Sequence, residues 1–152
     1  MALNNTAKEY NARASLKKFF VDNLGSLVFF DKSLASPDLR SASTKKWILI
    51  NFRGFTRASL GEYYLEAYCS TRQDPEGMEL AKLVDQFTGL LYDSTSTDGV
   101  THIPLYDTDN VTWQEIGAMV MQEIIDTPPF RIPEDETKVK IFSIRMRWGM
   151  SI

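Results

Sequence analysis

Few side chains in this sequence are of the types that do covalent or metal chemistry, and their spacing does not favour it. His102 is the one histidine and Cys69 the one cysteine. A Ser-His-Asp or Cys-His device would have to use that histidine as its base. Cys69 falls on the same alternating side of its run as Leu65 and Ala67, where a buried, inert thiol is the expected state. His102 lies in the extended run Thr101-His-Ile-Pro104. Zinc or iron would need further histidine or cysteine ligands. Asp107, Asp109 and Asn110 cluster beside a turn. Without the glycine and terminal glutamate of a calcium loop, they read as an Asx-rich turn. The glycines form neither GxGxxG nor GxxxxGK, the loops that cradle phosphates. No cofactor and no metal is expected, and the chain does not read as an enzyme.

Charge says more through its distribution than through its net value of −3. From Leu39 to Gly61 there are five basic residues, among them Arg53 and Arg57, and no acid. From Asp74 to Glu136 there are fourteen acids against Lys82 and Arg131. Such segregation is either a solvated surface or a pair of complementary faces suited to head-to-tail contact between copies. Trp47, Phe52 and Phe55 lie within the basic stretch, an arrangement that would suit nucleic acid. Trp47 and Phe52 belong to its most apolar run, however, and are better explained by a core.

The elements that must position these residues follow from periodicity. With 152 residues, 43% of them hydrophobic, the chain can bury one core and reads as a single domain, 1–152. Its one cysteine fits a cytosolic folding environment, and no apolar run is long enough to cross a membrane. Thr6-Ala-Lys-Glu9 is a capping box that opens a helix over 6–24, with Tyr10, Ala14, Leu16, Phe20 and Leu24 as its apolar stripe and Gly25 as its stop. Leu27–Phe30 and Trp47–Arg53 read as strands, the second a central one. Along 62–72, Tyr63, Leu65, Ala67 and Cys69 alternate with Glu62, Tyr64, Glu66, Tyr68 and Ser70, giving a strand with one wet face.

Asp74-Pro75 reads as the cap and first turn of a second helix that runs through Leu80, Leu83, Val84, Phe87 and Leu91. Thr101–Tyr106 is a short extended segment. The stretch 111–125 fits both a helical stripe (Trp113, Ile116, Val120, Ile124) and a two-residue period, and reads as a short helical turn leading into a strand. Pro128-Pro129 breaks the chain, Arg131–Thr137 reads as a solvated loop, and Lys138–Trp148 as an alternating strand. The sum is an α+β fold, a mostly antiparallel sheet with two helices packed on it.

This order of elements resembles the tail terminator proteins of long-tailed bacteriophages. The likeness runs from the capped first helix and Phe29-Phe30-Asp31, through Trp47-Ile-Leu-Ile and Tyr63–Tyr68, to the helix after Pro75, Gly117-Ala-Met-Val-Met and Arg145-Met-Arg-Trp148. It implies a virion protein, assembled in the host cytoplasm and located at the head-proximal end of the tail. Its partners would be copies of itself in a hexameric ring, the tail tube protein and the head connector or neck protein. Such a ring caps the tube, ends its polymerisation and joins tail to head, with DNA passing through the lumen without sequence readout and no membrane involved. Arg53, Arg57, Tyr64, Glu66 and Tyr68 are the residues expected at subunit contacts. Two other readings stay open: another head–tail joining protein, or a small cytosolic enzyme or ligand-binding domain whose site would use Arg53, Tyr64, Tyr68 and His102.

Overall fold

The structure, a computed structural model, describes residues 8–33, 45–56, 60–109, 111–133 and 136–150. In chain order these form α1 (Glu9–Leu24), β1 (Val28–Phe30), β2 (Lys46–Phe55), β3 (Leu60–Thr71), α2 (Met78–Gly89), β4 (Ile103–Asp107), β5 (Gln114–Asp126), β6 (Phe130–Ile132) and β7 (Thr137–Met150). The fold is α+β: two helices and a seven-strand, mostly antiparallel, curled sheet. The strand order is β1-β2-β3-β7-β5-β4, with β6 also paired to β7, and only β1 and β2 run parallel.

The inward face of the sheet holds the core. Ile48, Ile50 and Phe52 of β2 meet Tyr63, Leu65, Ala67 and Cys69 of β3 and Phe142, Ile144, Met146 and Trp148 of β7 under both helices. The alternation expected of β3 and β7 is the one observed over 63–69 and 142–148, but Ser70, expected on the wet face, is fully buried. α2 lies over β3 and β7, while α1 touches β1 and β4, the two ends of the strand order. The sheet therefore curls far enough for one helix to fill the gap between its edges. Phe20 of α1 stacks on Phe87 of α2 at 5.9 Å, which ties the helices together beneath that closure.

Each side of α1 has its own attachment. Towards β4, the buried Ser15 hydroxyl accepts the Tyr106 N–H at 2.9 Å, and the buried Asn11 carbonyl accepts the Thr108 N–H at 3.2 Å and its hydroxyl at 2.8 Å. Pro104, which has no N–H, takes the remaining outward position of β4 by alternation. Towards β1, Arg13 donates to Asp31 Oδ2 at 3.0 Å and to the buried Tyr63 hydroxyl at 3.1 Å, which in turn donates to Glu9 at 2.8 Å. Burial comes first in holding the Tyr63 phenol above its ordinary pKa, with the donation to Glu9 adding to it against the pull of Arg13.

Four expectations are corrected. The buried stripe of α1 is Ala12, Leu16, Phe20 and Leu24, with Asn11 and Ser15 beside it, whereas Tyr10 is 70% exposed. The capping box falls partly outside the described residues. α2 begins at Met78 rather than at Pro75, because Gly77 takes a left-handed φ of 73° and the chain turns there first. Asp74 still caps the helix from a distance, accepting the N–H groups of Glu79 and Leu80 at 3.2 and 2.9 Å. Among the described residues no helical turn precedes β5, which is strand throughout. Extra residues at Ile116 and Gln122 bulge it, so Ile116, Met119, Met121 and Ile124 contribute to the core at spacings that imitate a helix. Finally, the segment after Pro129 is a short strand, β6, continuing along β7.

Two glycines are fixed by close approach. A Cβ at Gly61 would lie 2.6 Å from the Trp148 ring, and one at Gly117 would collide with the Gly149 carbonyl oxygen. Trp148 can therefore lie flat over β3, where it stacks on Phe55 at 5.4 Å.

Replacing Ser15 or Asn11 with alanine should each cost about 1–3 kcal/mol, the usual penalty for leaving a buried partner unsatisfied, read as a lower urea midpoint with an unchanged slope. Asp74 makes a pH-dependent contribution. Burial raises its pKa, but donation from Leu80, Glu79 and Thr71 and the charge of Lys138 together leave it below the ordinary 3.8. Its stabilisation is thus fully present at neutral pH and is lost as pH falls through the folded-state value. Asp74→Ala should remove about 0.5–2 kcal/mol at neutral pH, a typical capping loss, and the difference from wild type should shrink in acid.

Candidate subunit interface

The face of the sheet turned away from the helices is where the expected contact residues collect. Two cross-strand rows define it. Tyr64 of β3, Arg145 of β7 and Glu123 of β5 are register partners in one, and Glu66, Ser143 and Ile125 in the next. Arg53 joins from β2, where a bulge between Phe52 and Phe55 points both phenylalanines inward and leaves Arg53 outside. These residues line a shallow concavity of about 270 Å³. Tyr64 is 41% exposed and Ile125 53%.

The charges around this concavity are matched within the subunit, while Arg147, further along the same face of β7, is exposed. Arg53 Nε pairs with Glu66 Oε1, and that hydrogen bond is the main cause holding the Arg53 guanidinium above its ordinary value. Arg145 lies 3.3 Å from Glu62 and 3.8 Å from Glu123. Such half-exposed pairs add little stability, about 0–1 kcal/mol each. Their effect is a surface that is polar but nearly neutral, with an aromatic and an isoleucine left uncovered.

Of the five residues expected at contacts, the structure brings Arg53, Tyr64 and Glu66 together around the concavity. Tyr68 lies on the same face but packs against the buried Trp47 and Leu49, its hydroxyl 3.5 Å from Glu66. Arg57 lies outside the described residues. The anticipated division into a basic and an acidic partner does not extend to Arg53 and Glu66, which neutralise one another across β2 and β3.

The residues considered for chemistry stay apart. Cys69 is fully buried on the helix side of β3, and burial pushes its thiol up to about 12. His102 is exposed, with Nε2 3.1 Å from Asp98, and does not line the concavity. Asp109 donates its N–H to Asp107 Oδ1 at 3.1 Å, the Asx turn expected there, and pairs with Lys8 at 2.8 Å. Asn110 lies outside the described residues, among which no group of three or more His, Cys, Asp or Glu is placed to hold a metal. Trp47 and Phe52 are core residues, closed to base stacking.

No protein-family model matches the chain, and no curated protein matches it.

Sequence reasoning missed a second surface on α1. Tyr10, Ala14, Lys17 and Val21 recur at helical spacing on the face opposite the core, and with Trp113 they line a groove of about 440 Å³. The signal was in the spacing, but Tyr10 and Ala14 read equally well as the upper part of the core stripe.

Because the thiolate is the reactive form, Cys69 should resist alkylation at mildly alkaline pH in the folded protein and react stoichiometrically once urea unfolds it. Rapid labelling of the native protein would contradict the burial described.

Proposed function

We propose that this chain is a structural subunit of the tail-terminator kind, closing into a hexameric ring at the head-proximal end of a phage tail. There it would cap the tube, end its growth and dock the head connector, while DNA passes through the lumen. The observation that carries this reading is the neutral, partly apolar outer sheet face around Tyr64, Ile125 and the Arg53–Glu66 pair. A face whose charges are already paired can be covered by another protein without stranding an isolated charge, which is the costly event in forming an interface. Tyrosine is also a residue that interfaces favour. The order of elements set out above supports the same reading. An enzyme using Arg53, Tyr64, Tyr68 and His102 finds less support, since Arg53 is engaged with Glu66 and His102 stands elsewhere.

Imaging and single-particle mass measurement of the full-length protein, alone and mixed with purified tail tubes, test the proposal. Closed rings of six copies, or density capping one end of the tubes, are expected. Tyr64→Asp should lower the assembled fraction at least about tenfold, as for a central contact residue, without shifting the melting temperature. Protein that stays monomeric and never decorates tube ends would remove the reading.

A further inference from the structure

The groove on α1 has a counterpart elsewhere on the same chain. Its walls are aromatic and apolar: Tyr10 is 70% exposed, Val21 47% and Trp113 38%. Its cations are unequally engaged. Lys18 pairs with Asp22 at 2.7 Å and Arg13 with Asp31 and Glu9. Lys17 has no carboxylate partner among the described residues, its Nζ lying 5.2 Å above the Phe30 ring.

Past the far end of β5 the pairing with β7 is broken by a one-residue bulge, a corner made of the exposed Pro128 and Pro129, and then continues in the same direction from Phe130, which is 42% exposed. Asp126 and Glu123 stand just before it, each more than half exposed; Asp126 shares Lys140 at 3.1 Å and Glu123 lies 3.8 Å from Arg145. Paired prolines dock well in aromatic-lined grooves, because they are already extended and have no N–H to desolvate. Trp113 immediately precedes β5 and the corner immediately follows it. The thirteen residues between are one strand paired along its length, about 40 Å at 3.3 Å per residue, so the two features stand at its opposite ends and do not meet within one molecule.

We infer that the α1 groove of one copy receives the Pro128-Pro129-Phe130 corner of the next, with Asp126, shared with Lys140 of its own copy, facing Lys17. This rests on the ring reading and deepens it. A groove and a corner are two different patches, so the contact is heterologous and each copy uses both, as closure into a ring requires. The corner continues directly from Ile125 on the outer sheet face, so that face and the corner form one continuous surface towards the neighbour.

The test uses two full-length variants that alter only exposed side chains, Trp113→Ala in the groove and the double change Pro128→Ser with Pro129→Ser in the corner. Trp113→Ala gives up a contact with the Tyr106 ring and the two serines loosen the unfolded chain, so each variant should melt slightly below wild type while remaining folded. Sedimentation of wild type, of each variant and of their equimolar mixture is compared. Each variant alone should self-associate at least about tenfold more weakly than wild type, the loss expected of an anchoring residue. The mixture should form a dimer and stop there, because only the corner of the groove variant and the groove of the corner variant remain intact. Lys17→Glu should weaken association, and Asp126→Lys added in the partner should restore part of it. Wild-type rings that form equally well from both variants would overturn this contact and leave the ring reading standing. Wild-type protein that associates neither with itself nor on tail tubes would overturn both.

Discussion

The structure depends on one helix filling the gap in a curled sheet. Without α1, strands β1 and β4 would face each other across an open seam and the part of the inner sheet face that α2 does not cover would be wet. The seam is closed by unlike means on its two sides. Towards β4 the helix offers short neutral groups, Asn11 and Ser15, to backbone N–H donors. Towards β1 it offers Arg13, held among Glu9, Asp31 and the Tyr63 hydroxyl. Asp31 has a left-handed φ of 51° and also accepts the Phe52 N–H at 3.0 Å. The helix, the end of β1 and the β2 bulge are therefore fixed by one network, and the bulge is what sets Arg53 on the outer face.

Much of this was legible in the sequence where an element obeys a single period. The alternation of Tyr63, Leu65, Ala67 and Cys69 gave the inner face of β3 correctly, and Lys138–Trp148 did so for β7. What misled was the superposition of periods. The bulges at Ile116 and Gln122 change the phase of β5 twice, so its inward residues fall at intervals of three, two and three. α1 misled for the opposite reason. It buries two polar residues that serve the neighbouring strand and exposes Tyr10, so composition alone draws Tyr10 and Ala14 into a stripe whose later part, Leu16, Phe20 and Leu24, is right. Asp74 was recognised as a cap, but a cap acting across an intervening turn leaves no fixed spacing to read. Of the candidate contact residues, the sheared register of β2 against β3 could not be seen beforehand, and with it the pairing of Arg53 to Glu66.

The three sheet edges carry three different obstacles to further strand pairing. β4 has its outward donors taken by Ser15 and Asn11 and lacks one at Pro104; β1 is three residues long; β5 is interrupted from β6 by two prolines. In the proposed ring, copies would therefore meet through side chains and not by adding strand to strand. Backbone zippers part slowly and bind almost any sequence, whereas a contact made of a few side chains dissociates on a timescale that a single substitution can reset. In such a ring a wrongly seated copy would leave before the next arrives, which would give assembly a means of correcting its own errors.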